Sequence, residues 1–317
     1  MSSSNVPRAK PRALRAGDTV GIIAPASNFK REDLQAGCRA LEYLGYRPVY
    51  ADSIFDRDLY FAGSVERRAR ELEEMFERDD VRAIICARGG YGANDLLPVL
   101  DFDKIKTHPK IVVGYSDITS LLTYLADACE LVTFHGPMAA KDWTHTDGVD
   151  LASWQSALAG DVPWEVNVGA ESGVRGLVSG EAEGILYGGC LSILTASLGT
   201  AYEIQTEGTV FFLEDLAAKP YQIDRMLMQL KLAGKFKDVR GIVFGEMLDC
   251  RQTANQGYSL EEVVLRIVGD MGVPVAYGLS SGHVTSNNIT LPFGVRASLS
   301  VSGGSASLRM LEASVTL

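Results

Sequence analysis

Three β-branched, apolar runs in the first 120 residues each end in a loop and give way to a helical segment. They are Thr19-Val20-Gly21-Ile22-Ile23-Ala24-Pro25, Val81 to Ala87, and Ile111-Val112-Val113. The first leads into Arg31 to Leu44, where Leu34, Cys38, Leu41 and Leu44 recur at helical spacing and Gly45 is the stop. Strands alternating with helices predict a parallel sheet covered on both faces. In such sheets the functional loops lie beyond the carboxyl ends of the strands. The loops after Ala24, Ala87, Val113 and Phe134 are therefore expected on one rim. That brings Arg88-Gly89-Gly90-Tyr91-Gly92, Ser116 and His135 near one another.

The pattern weakens from Lys141 to about Ser179, which reads as a linker with one helix, Asp150 to Leu158. Beyond Gly176 it resumes, with a strand at Thr209 to Leu213, a helix opened by Pro220 and a closing hairpin around Gly303-Gly304. The expected division is a disordered tail over residues 1–16, an N-terminal α/β domain over 17–140, a linker over 141–175 and a C-terminal α/β domain over 176–317. Val65 to Arg78 reads as a charged helix on the surface.

A chain of 317 residues that is 46% hydrophobic can bury a large core. Forty acidic against thirty basic residues give a net charge of −10, which argues against nucleic acid or an anionic membrane as the main partner. The five cysteines are widely spaced with no C-x-x-C, as in a reduced, cytoplasmic protein. The four histidines form no H-x-x-x-H, so no metal site is expected. Residues 1–15 lack the apolar segment of a signal peptide, and no apolar run is long enough to span a bilayer. The expected location is the cytoplasm.

Ser116 stands where a strand turns sharply into a helix, in Gly114-Tyr115-Ser116-Asp117-Ile118-Thr119. Such a turn exposes a serine Oγ beside the N–H groups of a helix start, as a nucleophile requires. A capping role for Ser116 or Asp117 fits the same stretch. A serine nucleophile needs a base, and the base an acceptor. His108 and His145 lie in polar loops, whereas His135 and His283 each follow a buried strand; spacing does not choose between these two. Glu214-Asp215, directly after Val210-Phe211-Phe212-Leu213, offers the acid. The glycines of Arg88-Gly89-Gly90-Tyr91-Gly92 suit an oxyanion hole or a phosphate cradle, but match neither G-x-G-x-x-G nor a P-loop.

Several motifs occur together in one order: Arg88-Gly89-Gly90-Tyr91-Gly92, Gly114-Tyr115-Ser116-Asp117, His135-Gly136-Pro137-Met138, Tyr187-Gly188-Gly189, Phe212-Leu213-Glu214-Asp215, Ile223-Asp224-Arg225 and Gly282-His283. The set, from about Gly17 to Leu311, resembles the L,D-carboxypeptidase (muramoyltetrapeptide carboxypeptidase) family, which includes the microcin C immunity peptidases. The resemblance implies a flavodoxin-like N-terminal domain and a smaller C-terminal α/β domain, with a Ser-Glu-His triad divided between them. It places the nucleophile on Ser116, the acid on Glu214 and the base on His283, leaving His135 structural. The resemblance implies the backbone N–H groups of Asp117 and of Gly89, with Gly90 as the alternative, as the oxyanion hole. Arg88, Gly90, Tyr91 and Arg225 are the expected substrate-binding residues, with Arg88, Arg225 or a lysine for the terminal carboxylate. Where many relatives have Asn after the paired glycines, this chain has Cys190.

The implied activity is cofactor-free hydrolysis of the bond to a C-terminal D-Ala in murein tetrapeptides, by an enzyme that is a homodimer in many relatives. The alternative in the same chemistry is cleavage of aminoacyl-nucleotide analogues, for which Trp143, Trp154 or Trp164 would stack on the base. A non-catalytic protein closing over a small ligand is the alternative of another class.

Overall fold

The computed structural model describes residues 8–166, 173–251 and 257–317. Its first half runs β1 (Thr19–Ile23), α1 (Arg31–Tyr43), β2 (Arg47–Val49), α2 (Val65–Glu77), β3 (Val81–Cys86), α3 (Phe102–Thr107), β4 (Ile111–Gly114), α4 (Thr119–Ala128) and β5 (Thr133–His135). The five strands pair in parallel in the order β2-β1-β3-β4-β5, the flavodoxin-like arrangement. β1 and β4 are buried along their whole length, which is why they read as unbroken apolar runs. Chain direction across the sheet reverses between β1 and β3, and the crevice this leaves opens at their carboxyl ends.

The second half contains α5 (Leu151–Ala159), β6 (Trp164–Val166), β7 (Arg175–Val178), β8 (Gly180–Cys190), α6 (Leu191–Ala196), β9 (Thr209–Glu214), α7 (Pro220–Leu232), β10 (Gly241–Gly245), α8 (Leu260–Val268), β11 (Val275–Leu279), β12 (Leu291–Phe293), β13 (Arg296–Ser302) and β14 (Ser305–Met310). Its sheet has the order β6-β14-β13-β8-β9-β10-β11-β7 and is the wider of the two. β8 to β11 run parallel at its centre, with antiparallel strands at both edges.

Four expectations need correction. Residues 8–16 are packed rather than a loose tail: Ala13 and Leu14 are buried, and their backbone N–H groups donate to Thr316 and Leu158. Residues 1–7 lie outside the described residues. The stretch 141–175 is not only a linker, because β6 forms an edge of the second sheet; residues 167–172 lie outside the description. β12, from the C-terminal half, adds antiparallel to β5, so the first sheet is not built from the N-terminal half alone. Finally, α2 turns charge inward. Arg67, Arg68 and Glu71 are buried, and Arg68 donates to the carbonyls of Pro25 and Gly92 at 2.7 Å each.

Candidate active site

β4 ends at Gly114, where a Cβ would meet Ile118 Cγ2 at 2.8 Å; only glycine lets the chain fold back so tightly. Tyr115 stays extended, and Ser116 adopts φ +63°, a left-handed conformation uncommon outside glycine. Such backbone costs of order 1–3 kcal/mol and recurs where a side chain must be aimed. A short 3-10 turn then leads into α4. Gly89, after β3, comes against this turn. A Cβ there would stand 2.8 Å from Ser116 Cβ and 3.3 Å from the Asp117 nitrogen.

The loop carrying Gly89 is held from beneath. Asp117 Oδ2 accepts from the Ala93 N–H at 2.8 Å, and Arg68 secures the Gly92 carbonyl. Burial raises the Asp117 carboxyl, with the Ala93 N–H and the Arg68 charge opposing. Arg68 was not recognisable in sequence, since a charge on a helix reads as solvent-facing.

Glu214 closes β9 with its side chain fully buried. Its Oε2 accepts from both the backbone N–H and Nδ1 of His283, at 3.0 and 2.7 Å. Burial opposes ionisation of Glu214, but the His283 charge and these hydrogen bonds hold the carboxyl below its ordinary range. Gly282 makes the approach feasible. It has φ +91°, and a Cβ there would meet Glu214 Cδ at 2.6 Å and His135 Nε2 at 2.8 Å. Asn288, fully buried, brackets this peptide by accepting from the Gly282 N–H at 2.9 Å and donating to its carbonyl at 3.2 Å. Asn288 stood in the polar run after His283 without a distinguishing signal.

Ser116, His283, Gly89, Gly90 and Arg88 line one cleft of about 800 Å³, together with Phe29, Asp33, Met138, Ala140, Lys141 and Leu216. No hydrogen bond joins Ser116 Oγ to His283 in this structure; catalytic contacts of free enzymes often tighten only with substrate. His135 is wholly buried behind the site against Phe212 and Phe293. Tyr91 is half exposed beside Tyr60 and Phe61 and does not line the cleft. Arg225 is not brought to the cleft either: it lies on α7 with its guanidinium 5.5 Å above the Tyr221 ring. A larger cleft of about 1110 Å³, lined by Trp164, Glu246 and Ser280 among others, contains none of the Ser116, Glu214 and His283 set. Trp143 and Trp154 pack edge-to-face at 4.9 Å in the core.

Cys190 Sγ, a Glu214 oxygen and a His283 ring nitrogen lie within 4.8 Å of one another, a grouping with the elements of a metal site. Burial, reinforced by the Glu214 and Asp215 charges, raises the Cys190 thiol far above its ordinary range. Glu214 Oε2 is engaged by His283, whereas the buried Glu214 Oε1 has no hydrogen-bond partner among the described residues. The Cys190 backbone N–H donates to Thr119 Oγ1 at 3.0 Å, tying β8 to the helix that follows Ser116.

Residues 20–136 match the LD-carboxypeptidase N-terminal domain, and residues 183–299 match the C-terminal domain of the same family. The chain is 40% identical over 311 residues to the probable murein peptide carboxypeptidase of Bacillus subtilis, covering 97% of this chain and 95% of that one. It is 29% identical over 318 residues to the microcin C7 self-immunity protein of Escherichia coli, covering 90% and 91%. The solved muramoyltetrapeptide carboxypeptidase of Oxalobacter formigenes aligns with a TM-score of 0.83 at 29% identity, covering 94% of this chain and 100% of that one.

Proposed function

The chain belongs to the LD-carboxypeptidase family, and we propose that it is a serine carboxypeptidase releasing the C-terminal D-Ala of murein tetrapeptides. The observation that carries this reading is the buried Glu214–His283 pair opening onto the same cleft as the left-handed Ser116.

With Nδ1 of His283 engaged by Glu214, Nε2 is the nitrogen left to accept the Ser116 proton. Ser116 Oγ then attacks the carbonyl carbon before D-Ala, and its negative oxygen is held by the N–H groups of Asp117 and Gly89. Glu214 fixes the imidazole tautomer and stabilises the imidazolium. The tetrahedral adduct collapses, the C–N bond breaks, and His283 returns the proton to the leaving amine. Water, deprotonated by His283, attacks the acyl-Ser116 ester; the bond to Ser116 Oγ breaks, His283 returns the proton to Oγ, and the shortened peptide leaves. No step draws on a metal or cofactor.

The Escherichia coli relative keeps aminoacyl-nucleotide cleavage in view. Against it, Trp143 and Trp154 are buried in the core and Trp164 faces the other cleft, so none of the three offers a base-stacking surface beside Ser116. The test offers purified protein a murein tetrapeptide and an aminoacyl sulfamoyl adenosine in parallel. D-Ala release with the nucleotide analogue left intact is the expected result. Cleavage of the analogue alone would overturn the murein assignment.

A further inference from the structure

Three charged side chains line the cleft: Asp33, Arg88 and Lys141. A carboxypeptidase must recognise the free carboxylate of the residue it releases. That group is two bonds beyond the leaving nitrogen, which His283 protonates. A cation on the histidine's side of Ser116, about one residue away, is therefore a suitable partner for it. Arg88 adjoins Gly89, on the oxyanion side, and its guanidinium donates to the Asn28 carbonyl at 3.2 Å.

Lys141 follows Ala140, whose N–H donates to the Ala87 carbonyl at 2.8 Å, and its side chain reaches towards the histidine over Tyr115. Its Nζ sits 5.0 Å above the Tyr115 ring, and the same ring stands edge-on to His283 at 5.2 Å. Tyr115 is buried and pinned, its hydroxyl donating to Asp142 Oδ1 at 3.1 Å, so the platform under the ammonium is rigid. Asp142 is the neighbouring carboxylate and feels the Lys141 charge, but its two oxygens already accept from Tyr115 and from the Met138 N–H at 2.8 Å. Among the described residues Lys141 forms no ion pair, and it is exposed to the cleft.

We propose that Lys141 is the specificity residue that holds the terminal carboxylate of the substrate. This rests on the carboxypeptidase reading above. An ammonium facing a carboxylate makes a charge-assisted hydrogen bond that a C-terminal amide, being neutral, cannot match. Arginine at this position keeps the charge, whereas methionine keeps only the stem.

The experiment compares kcat/KM for release of D-Ala from a murein tetrapeptide with release of D-alaninamide from its C-terminal amide. Wild type, Lys141→Met, Lys141→Arg and Arg88→Met are measured, with folding checked by circular dichroism. The expected result is a wild-type preference for the acid that falls about tenfold or more in Lys141→Met, through KM, and largely returns in Lys141→Arg. An unchanged acid-to-amide ratio in folded Lys141→Met would overturn the assignment, as would a loss seen in Arg88→Met instead. Wild type releasing neither product would refute the carboxypeptidase reading itself, a different outcome from D-Ala release that ignores Lys141.

Discussion

Between Phe212 and Phe293, neither nitrogen of the His135 ring has a hydrogen-bond partner among the described protein groups. Burial pushes its pKa down to about 4, against the pull of the Glu214 carboxylate and with help from His283. The unfolded chain binds this proton as pH falls below about 6.5, while the folded one resists until about 4. Stability is therefore fully present above pH 6.5 and drains away as pH drops towards 4, by up to about 1.4 kcal/mol per unit. Urea unfolding at pH 7 and pH 5 should show wild type losing about 2 kcal/mol more than His135→Gln. Equal losses would mean that His135 is not held neutral. Glu214, whose carboxyl is depressed mainly by His283 and in part by His135, also steepens the acid side.

At the scale of elements, β12 binds the two halves into one unit. Leu291, Pro292 and Phe293 pair with His135, Phe134 and Thr133, so the loop carrying His283 runs straight into a strand of the other sheet. Pro292 has no N–H to donate, which suits the edge position β12 occupies. Backbone bonds from Ala13 to Thr316 and from Thr316 to Pro11 join the chain ends in the same sense. Calorimetry should accordingly record one cooperative transition; two resolved transitions would show that the sheets melt independently. The β-branched runs of β1, β3 and β4 were legible because parallel strands buried on both faces need them. β12 was not, because three residues with a central proline carry no periodic signal. Arg68 was hidden for a related reason: the carbonyls it satisfies come from two other loops, contacts that local sequence does not encode. The strand–turn–helix setting of Ser116 was legible, although a helix-capping role fitted the same stretch equally well. Choosing His283 over His135 needed the resemblance, because the Glu214–His283 contact spans 69 residues of chain.

Taken as a whole, the molecule assembles its site from both sheets. Ser116 follows β4 of the first, whereas Glu214 ends β9 of the second and His283 follows β11. Each half alone lacks either the proposed nucleophile or the proposed base, so the proposed activity depends on how the sheets are clamped by β12 and by the bond from Cys190 to Thr119. The direct measurement is kcat/KM for D-Ala release by Ser116→Ala, His283→Ala and Glu214→Gln, singly and combined, against wild type. Residues working as one unit are strongly non-additive. Ser116→Ala and His283→Ala should each lose about 10³-fold or more, with the triple variant little worse than the worst single one. A Ser116→Ala enzyme that keeps its rate to within about tenfold, or losses that multiply in the triple variant, would contradict a Ser116–His283–Glu214 triad.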